Sequence, residues 1–384
     1  MPLTYPYKQY GGVWTLSQAS DAIAQGKWPV PPAPHLYAWG QNNYGQLGLG
    51  NITSYSSPKQ VGNLTIWLNI SSGQYYTSAI KTDGTLWTWG LNNSGQLGLN
   101  NTTYYSSPKQ VGSLTNWSLV ASSSGTTLAI KTDGTLWSWG ANSNGQLGLG
   151  NRTNYSSPKQ VGSLTNWLTV VTQNNSTLAI KTDGTLWSWG LNAYGQLGLQ
   201  NTTYYSSPKQ VGASTNWSKV TTANYGFTIA IKTDGTIWSW GRNNYGQLGL
   251  GNITYYSSPK QIGALTTWSK LSQTKWSSTL AIKTDGTLWG WGTNNVGQLG
   301  TGAVSNYSSP KQIGSLNNWS FVEVGLFSLA IKTDGTLWGW GDNSQGQLGL
   351  SNTTGYSSPK QIGALTSWLN ASVGKYFSQT IAIT

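Results

Sequence analysis

Ser78-Ala-Ile-Lys-Thr82, Asp83-Gly84 and Thr85-Leu-Trp-Thr-Trp89-Gly90 are the stretch on which the architecture turns. Two short β-compatible runs flank a two-residue Asp-Gly link. This is a strong hairpin signal, because a type I′ turn needs positive φ at both central positions and Asp-Gly tolerates it. Alternation places Trp87 and Trp89 on one face of the second strand, with Leu86 and Thr88 on the other. Further along, Gly95 and Gly98 punctuate the return loop. Ser107-Pro108-Lys109-Gln110-Val111 reads as an edge strand, since proline cannot donate to a central ladder. Trp117-Ser-Leu-Val120 then supplies a fourth strand to the unit.

The unit recurs. Gly-Gln-Leu-Gly begins at Gly45, Gly95, Gly145, Gly195, Gly246, Gly297 and Gly346, with spacings of 49–51 residues. Seven four-stranded units of that length match propeller blades, and no helical period runs through them. The Trp-Gly strand occurs seven times, starting with Leu36-Tyr-Ala-Trp-Gly40, but the Asp-Gly hairpin only six. The last Ala-Ile strand, Thr380-Ile-Ala-Ile-Thr384, follows in surplus. Pairing 380–384 with 36–40 closes the ring and leaves no bare sheet edge. The expected fold is therefore all-β, a closed seven-bladed β-propeller over 35–384, with 1–34 as a short N-terminal extension.

Composition narrows the function. The 384 residues include no cysteine, one histidine (His35), 23 tryptophans and only 8% charged residues. Thiol chemistry, disulfides and zinc ribbons are excluded, and a single histidine leaves no histidine cluster. No apolar run approaches the ~18 residues of a membrane span, so no membrane insertion is expected. No secretory signal is evident.

The string Leu-Trp-x-Trp-Gly-x-Asn-x-x-Gly-Gln-Leu-Gly-Leu-Gly, followed by Ser-Pro-Lys-Gln-Val, resembles the repeat of the RCC1 family, named after the regulator of chromosome condensation. The resemblance implies a seven-bladed ring and, as one reading of function, guanine-nucleotide exchange or chromatin and DNA binding. That family usually carries a histidine in a Gly-x-x-His segment before the Ala-Ile strand. Here the position reads Tyr76 in one unit and Thr126 in another, so the histidine's role does not carry over. Exchange in the family relies on an inserted wedge, for which these spacings leave no room.

Residues demanded once per blade are read as scaffold. Twenty of the 23 tryptophans fall at repeat positions, as inter-blade core. The turn aspartates Asp83, Asp133, Asp183, Asp234, Asp285 and Asp334 lie one per blade, and Asp21, Glu323 and Asp342 form no pair. A glycosidase needs two carboxyl groups ~5–9.5 Å apart. No catalysis, cofactor or metal site is expected. One lysine set neighbours the turn aspartates (Lys81 and its equivalents) and is locally compensated. The other (Lys59, Lys109, Lys159, Lys209, Lys260, Lys311 and Lys360) has no acidic neighbour. It either protects edge strands from pairing or forms a basic belt for a polyanion, with nucleic acid the less favoured partner. The Asn-x-Thr sites, such as Asn51 and Asn101, read as loop-forming side chains.

Selectivity then belongs where the copies differ. The loops before the Ala-Ile strands share one face and contribute Tyr75, Tyr76, Tyr225, Phe227, Lys275, Trp276, Phe327, Lys375, Tyr376 and Phe377. Exposed aromatics beside Asn and Ser suit carbohydrate or protein contact; drift at a tolerant loop is the alternative. A second variable set after the Trp-Gly strand includes Tyr44, Arg242, Tyr245 and Asp342. In the extension, Ser17–Gln25 reads as a short helix before a Pro-rich link, with Trp14, Leu16, Ile23 and Trp28 as anchoring residues. Its Gly11-Gly-Val-Trp-Thr-Leu16 and Gly26-Lys-Trp-Pro29 segments look similar to N-terminal parts of structural proteins in tailed bacteriophages. The expectation is a non-enzymatic virion component, a capsid or tail appendage. Residues 1–34 would join other virion proteins, and the propeller would contact host-surface polysaccharide or protein.

Overall fold

The computed structural model describes residues 35–384 except 64–66, 174, 273 and 375–378. The chain divides into two units, 1–34 and 35–384. Trp14, Leu16, Ile23, Trp28 and the expected helix all lie outside the described residues.

Among the described residues the fold is all-β: seven four-stranded antiparallel sheets form a seven-bladed propeller. The first blade runs from inside to outside as Trp67–Ser72, Tyr76–Lys81, Leu86–Gly90 and Tyr105–Gln110. The Trp67–Ser72 strand and its counterparts contact one another in succession and so line the axis. Each sequence unit is offset from its blade by one strand: Trp117–Ser122 is the innermost strand of the next blade, not the fourth of its own. The reason is burial. Trp117 packs edge-on against Trp137 and Trp139 of the blade it opens.

The seventh blade is composite, in the order Tyr55–Gln60, Leu36–Gly40, Gln379–Ile383, Asn370–Val373. Leu36 pairs with Ile383 and Gly40 with Gln379, so the two ends of the ring share one ladder.

The Asp-Gly turn differs from the sequence expectation. Only Gly84 has positive φ (75°), whereas Asp83 does not. Gly84 N donates to Lys81 O and Lys81 N to Thr85 O, which describes a type I turn closed by a left-handed glycine. Asp83 spends its carboxylate on Thr85, accepting from the backbone N at 2.9 Å and the hydroxyl at 2.6 Å. Those bonds hold its pKa below the usual carboxylate range. The residue is an Asx-turn acceptor, for which a right-handed φ suffices.

Blades are fastened by a repeated contact. Trp89, fully buried, donates its indole N–H to Gln46 O of the preceding blade at 2.9 Å, and Trp139 does the same to Gln96 O. Thr77 Oγ1 donates to the same Gln46 carbonyl. The ring approaches Gly48 so closely that a Cβ there would lie 2.7 Å from the Trp89 indole nitrogen. Leu, Val and Ile from both blades complete each interface, as with Leu47, Val61, Ile70 and Ile381 around Trp89.

Candidate functional site

At one end of every blade a loop follows the Trp-Gly strand and is held rigid by one buried asparagine. Asn42 accepts from Leu47 N at 2.9 Å and donates to the carbonyls of Asn51 and Thr53. Asn51 in turn accepts from Thr53 N. The Asn-x-Thr segment is thus a side-chain-closed turn, repeated at Asn101, Asn151, Asn201, Asn252 and Asn352. These scaffolds present the variable positions represented by Tyr44, Tyr194, Arg242 and Asp342. The loops between the two innermost strands open at the same end, since Ser72 pairs with Thr77 and Tyr76 with Gly90.

The structure sorts the loop residues into two kinds. Tyr75, Tyr225 and Trp276 are partly exposed. Tyr76, Phe227 and Phe327 are fully buried, and Lys275 is 1% exposed, so none of these four belongs to the exposed face. The three aromatics are the first residues of their strands, each opposite the positive-φ glycine that ends the Trp-Gly strand: Gly90, Gly241 and Gly341. That register turns their side chains into the interface with the next blade. The Tyr76 hydroxyl donates to Thr126 O at 2.7 Å across that interface, and burial pushes its pKa up to about 12. Lys375, Tyr376 and Phe377 lie outside the described residues.

Lys275 turns inward. Its ammonium donates to Ser72 O at 3.1 Å, bridging the fifth blade to the first across the axis. Glu323, also buried, is the charge opposite it and accepts from Val373 N at 2.7 Å. Burial raises the Glu323 carboxyl to about 7 and lowers Lys275, each opposed by the other's charge.

What the face does bring together is a run of rings over the third to fifth blades. Tyr255 and Tyr194 lie edge to face at 6.0 Å. The Arg242 guanidinium sits 4.8 Å from the Tyr194 ring and 5.6 Å from Tyr225. Tyr225 meets Trp276 at 4.6 Å. The Arg242 Nε–H is buried and donates to no acceptor among the described residues. A second group lies where the ring closes: Tyr44 with Tyr75 at 5.0 Å and with Tyr104 at 6.0 Å. Tyr75 holds a left-handed φ of 62°, at a position where other blades use Asn175 or Gly226. Such backbone costs are tolerated where the surrounding structure imposes them. The sequence reading named Tyr75, Tyr225, Trp276, Arg242 and Tyr44 but passed over Tyr194, Tyr255 and Tyr104. The last two belong to the repeated Tyr-Tyr-Ser-Ser-Pro segment and looked like scaffold, and only the ring-to-ring distances reveal them.

The arrangement offers stacking surfaces and one cation. Among the described residues no group of three or more His, Asp or Glu side chains converges. No helix among them is long and apolar enough to cross a membrane.

The pattern described as the Regulator of chromosome condensation (RCC1) repeat matches residues 35–80, 83–130, 133–180, 183–231, 234–273, 285–326 and 334–381. The ultraviolet-B receptor UVR8 of Arabidopsis thaliana is 35% identical over 99 residues, 25% of this chain and 22% of that protein. Mouse protein RCC2 is 39% identical over 88 residues, 22% of this chain and 17% of that protein. The alignments therefore span less than a quarter of these relatives. Among solved structures, human WBSCR16 superposes with a TM-score of 0.80 at 21% identity, covering 91% of this chain and 98% of that one. Prp20p from Saccharomyces cerevisiae, described with its binding to Gsp1p and histones, gives 0.79 at 17% identity over 92% of both chains. At these identities the two structures establish the likeness of fold.

Proposed function

The chain belongs to the regulator of chromosome condensation (RCC1) repeat family, and on that premise we propose that it is a non-enzymatic binding protein whose loop face receives a partner. Propellers of this repeat serve in protein interaction. The observation that carries the reading here is the Tyr255–Tyr194–Arg242–Tyr225–Trp276 run. Aromatic residues and arginine are the side chains enriched at the centres of protein interfaces. Tyr194, Arg242, Tyr225 and Trp276 stand at positions that differ from blade to blade, so they serve a partner rather than the scaffold.

The setting we propose is a virion. Residues 1–34 anchor the chain to other particle proteins, and the propeller is displayed toward a host-surface protein or polysaccharide. Support comes from the N-terminal resemblance and the near-identical, charge-poor repeats. Mass spectrometry of purified particles tests the setting: peptides from this chain should be present, and lost when residues 1–34 are deleted. Photo-crosslinkers placed at Tyr225 and Trp276 test the face. Crosslinks should form to one partner and disappear with Arg242→Ala, while a crosslinker at Lys109 on the outer strand stays silent. Equal capture from Lys109 would refute the assignment. The family's other role, nucleotide exchange, would be revived by clear acceleration of nucleotide release from a small GTPase.

A further inference from the structure

A second interaction surface lies at the opposite, turn-bearing end of the ring, where the axis opens, and it does not rest on the loop-face reading. The innermost strands begin at that end, since Trp67 pairs with Lys81 just before the Asp83-Gly84 turn. A bulge follows at once, because Asn69 and not Leu68 stands opposite Ile80. The bulge residue is thus left outside the ladder at the rim of the axis.

The blades fill that position in two ways. Ser118, Ser218 and Ser320 turn a hydroxyl back on the neighbouring strand and donate to Ile130 O, Ile231 O and Ile331 O at 2.9 Å. The first, third and seventh blades carry Leu68, Leu168 and Leu369 instead, which are 58%, 56% and 68% exposed. Leucine gives up the serine bond and gains little burial in return. A single exposed leucine is ordinary. Three at one repeat position, each where a serine serves other blades, form a patch that folding does not reward.

The following position supplies charge. Lys219 of the fourth blade donates to Ser269 O of the fifth, and Lys270 of the fifth donates to Ser320 O of the sixth. Those bonds show that the residue after the bulge reaches the bulge residue of the next blade, so the rim is continuous. At the same position half-buried Phe321 and Leu119 pack on the clusters of Trp368 and Trp167, beside Leu369 and Leu168. The apolar arc therefore runs from the sixth blade through the seventh and first to the third, and the basic arc covers the fourth and fifth. Lys219 and Lys270 are both exposed. Partial burial, then the Lys270 charge beside it, hold Lys219 below its ordinary pKa. An anion set against both ammonium groups relieves their repulsion.

We propose that this rim receives an amphipathic acidic segment of a partner protein, its apolar side chains on Leu369, Leu68 and Leu168 and its carboxylates on Lys219 and Lys270. The segregation decides the occupant. Apolar and basic groups hold opposite arcs of one opening, which a segment with an apolar and an acidic face complements. A flat anionic bilayer would also meet the exposed turn aspartates of this end, such as Asp83, Asp133 and Asp183, whose carboxyl groups are held below their ordinary pKa and stay ionised.

The test is fluorescence anisotropy of the full chain with a short labelled helical peptide bearing leucines on one face and glutamates on the other. Binding should saturate below ~1 mM peptide. It should weaken at least about tenfold in the Leu68→Ser, Leu168→Ser, Leu369→Ser triple variant, and as much in Lys219→Gln with Lys270→Gln. The triple variant carries the residue that other blades use, so it keeps the fold. Lys159→Gln with Lys209→Gln on the outer strands removes the same charge and should change binding by less than about threefold. No binding of this peptide, equal binding of its glutamine counterpart, or an unchanged Kd in the triple variant overturns the proposal. So does binding to vesicles of equal parts phosphatidylcholine and phosphatidylserine that the triple variant abolishes, which would make the rim a membrane contact. A dimer in sedimentation velocity that the triple variant loses would assign the rim to a second copy. Capture of residues 1–34 by a photo-crosslinker at Leu168 would assign it to the chain's own extension, and either result overturns the partner. Arg242→Ala should leave peptide binding unchanged, so this reading and the loop-face one fail separately.

Discussion

Replacing Lys275 by Met removes one half of a charge pair sealed inside the ring. Lys275 is 1% exposed and Glu323 3%. The substitution takes away the ammonium's bond to Ser72 O and leaves the carboxylate with Val373 N as its described hydrogen bond. Breaking a buried pair on one side costs about 3–5 kcal/mol, because an uncompensated charge remains in a poorly polarisable interior. Urea denaturation at pH 8, followed by tryptophan fluorescence, should show Lys275→Met destabilised by about that much. The sign with pH follows from the direction of the shift. Burial already raises Glu323 to about 7, and loss of the lysine raises it further. A carboxyl with a raised folded pKa weakens the fold as pH climbs from its unfolded value, about 4.3, through the folded one. The deficit of Lys275→Met should therefore shrink between pH 8 and pH 5, where the carboxyl is neutral. Adding Glu323→Gln should recover part of the loss at pH 8, since no lone charge is then left buried. A single variant within about 0.5 kcal/mol of the parent at pH 8, or a deficit that grows on acidification, would refute the account.

Tyr76→Phe should cost about 1–3 kcal/mol, because Thr126 O loses its buried donor. In the parent, the Tyr76 phenol, raised to about 12, should lose stability as pH rises from about 10 through that value; ultraviolet titration reads both. Gly134→Ala should destabilise by at least about 2 kcal/mol in thermal unfolding, since φ is 75° and the new Cβ would lie 2.0 Å from Thr165 O of the next blade. The turn aspartates, lowered mainly by the threonine hydroxyl and amide, should contribute stability above about pH 3.9 that is lost as pH falls through their lower folded values. Carboxyl chemical shifts across an acid titration would show it. Deleting residues 379–384 should open the ring and produce aggregation on size-exclusion chromatography, because Leu36–Gly40 loses its partner strand.

How far the sequence carries can be judged residue by residue. The recurrence of Gly-Gln-Leu-Gly, the surplus Ala-Ile strand and the missing seventh Asp-Gly turn determined the blade number and the way the ring closes. All three are one-dimensional regularities, and a repeat whose blades can bury themselves only against copies of their neighbours has few other solutions. The turn type escaped because Asp-Gly serves both I′ and type I geometries, and the Thr85 bonds decided between them. Tyr76, Phe227 and Phe327 were misplaced because a loop-to-strand boundary one residue off turns an interior ring into an apparent surface one.

Lys275 and Arg242 mark the other limit. Sequence spacing says that a charge recurs or stands alone, but its surroundings come from chain segments far apart. Lys275 reaches Ser72, and Arg242 settles between rings from the third and fourth blades. Local pattern determined the scaffold of this protein. Tertiary packing decided which cations are buried and which rings converge, because desolvation and ring contact depend on neighbours that the repeat does not name.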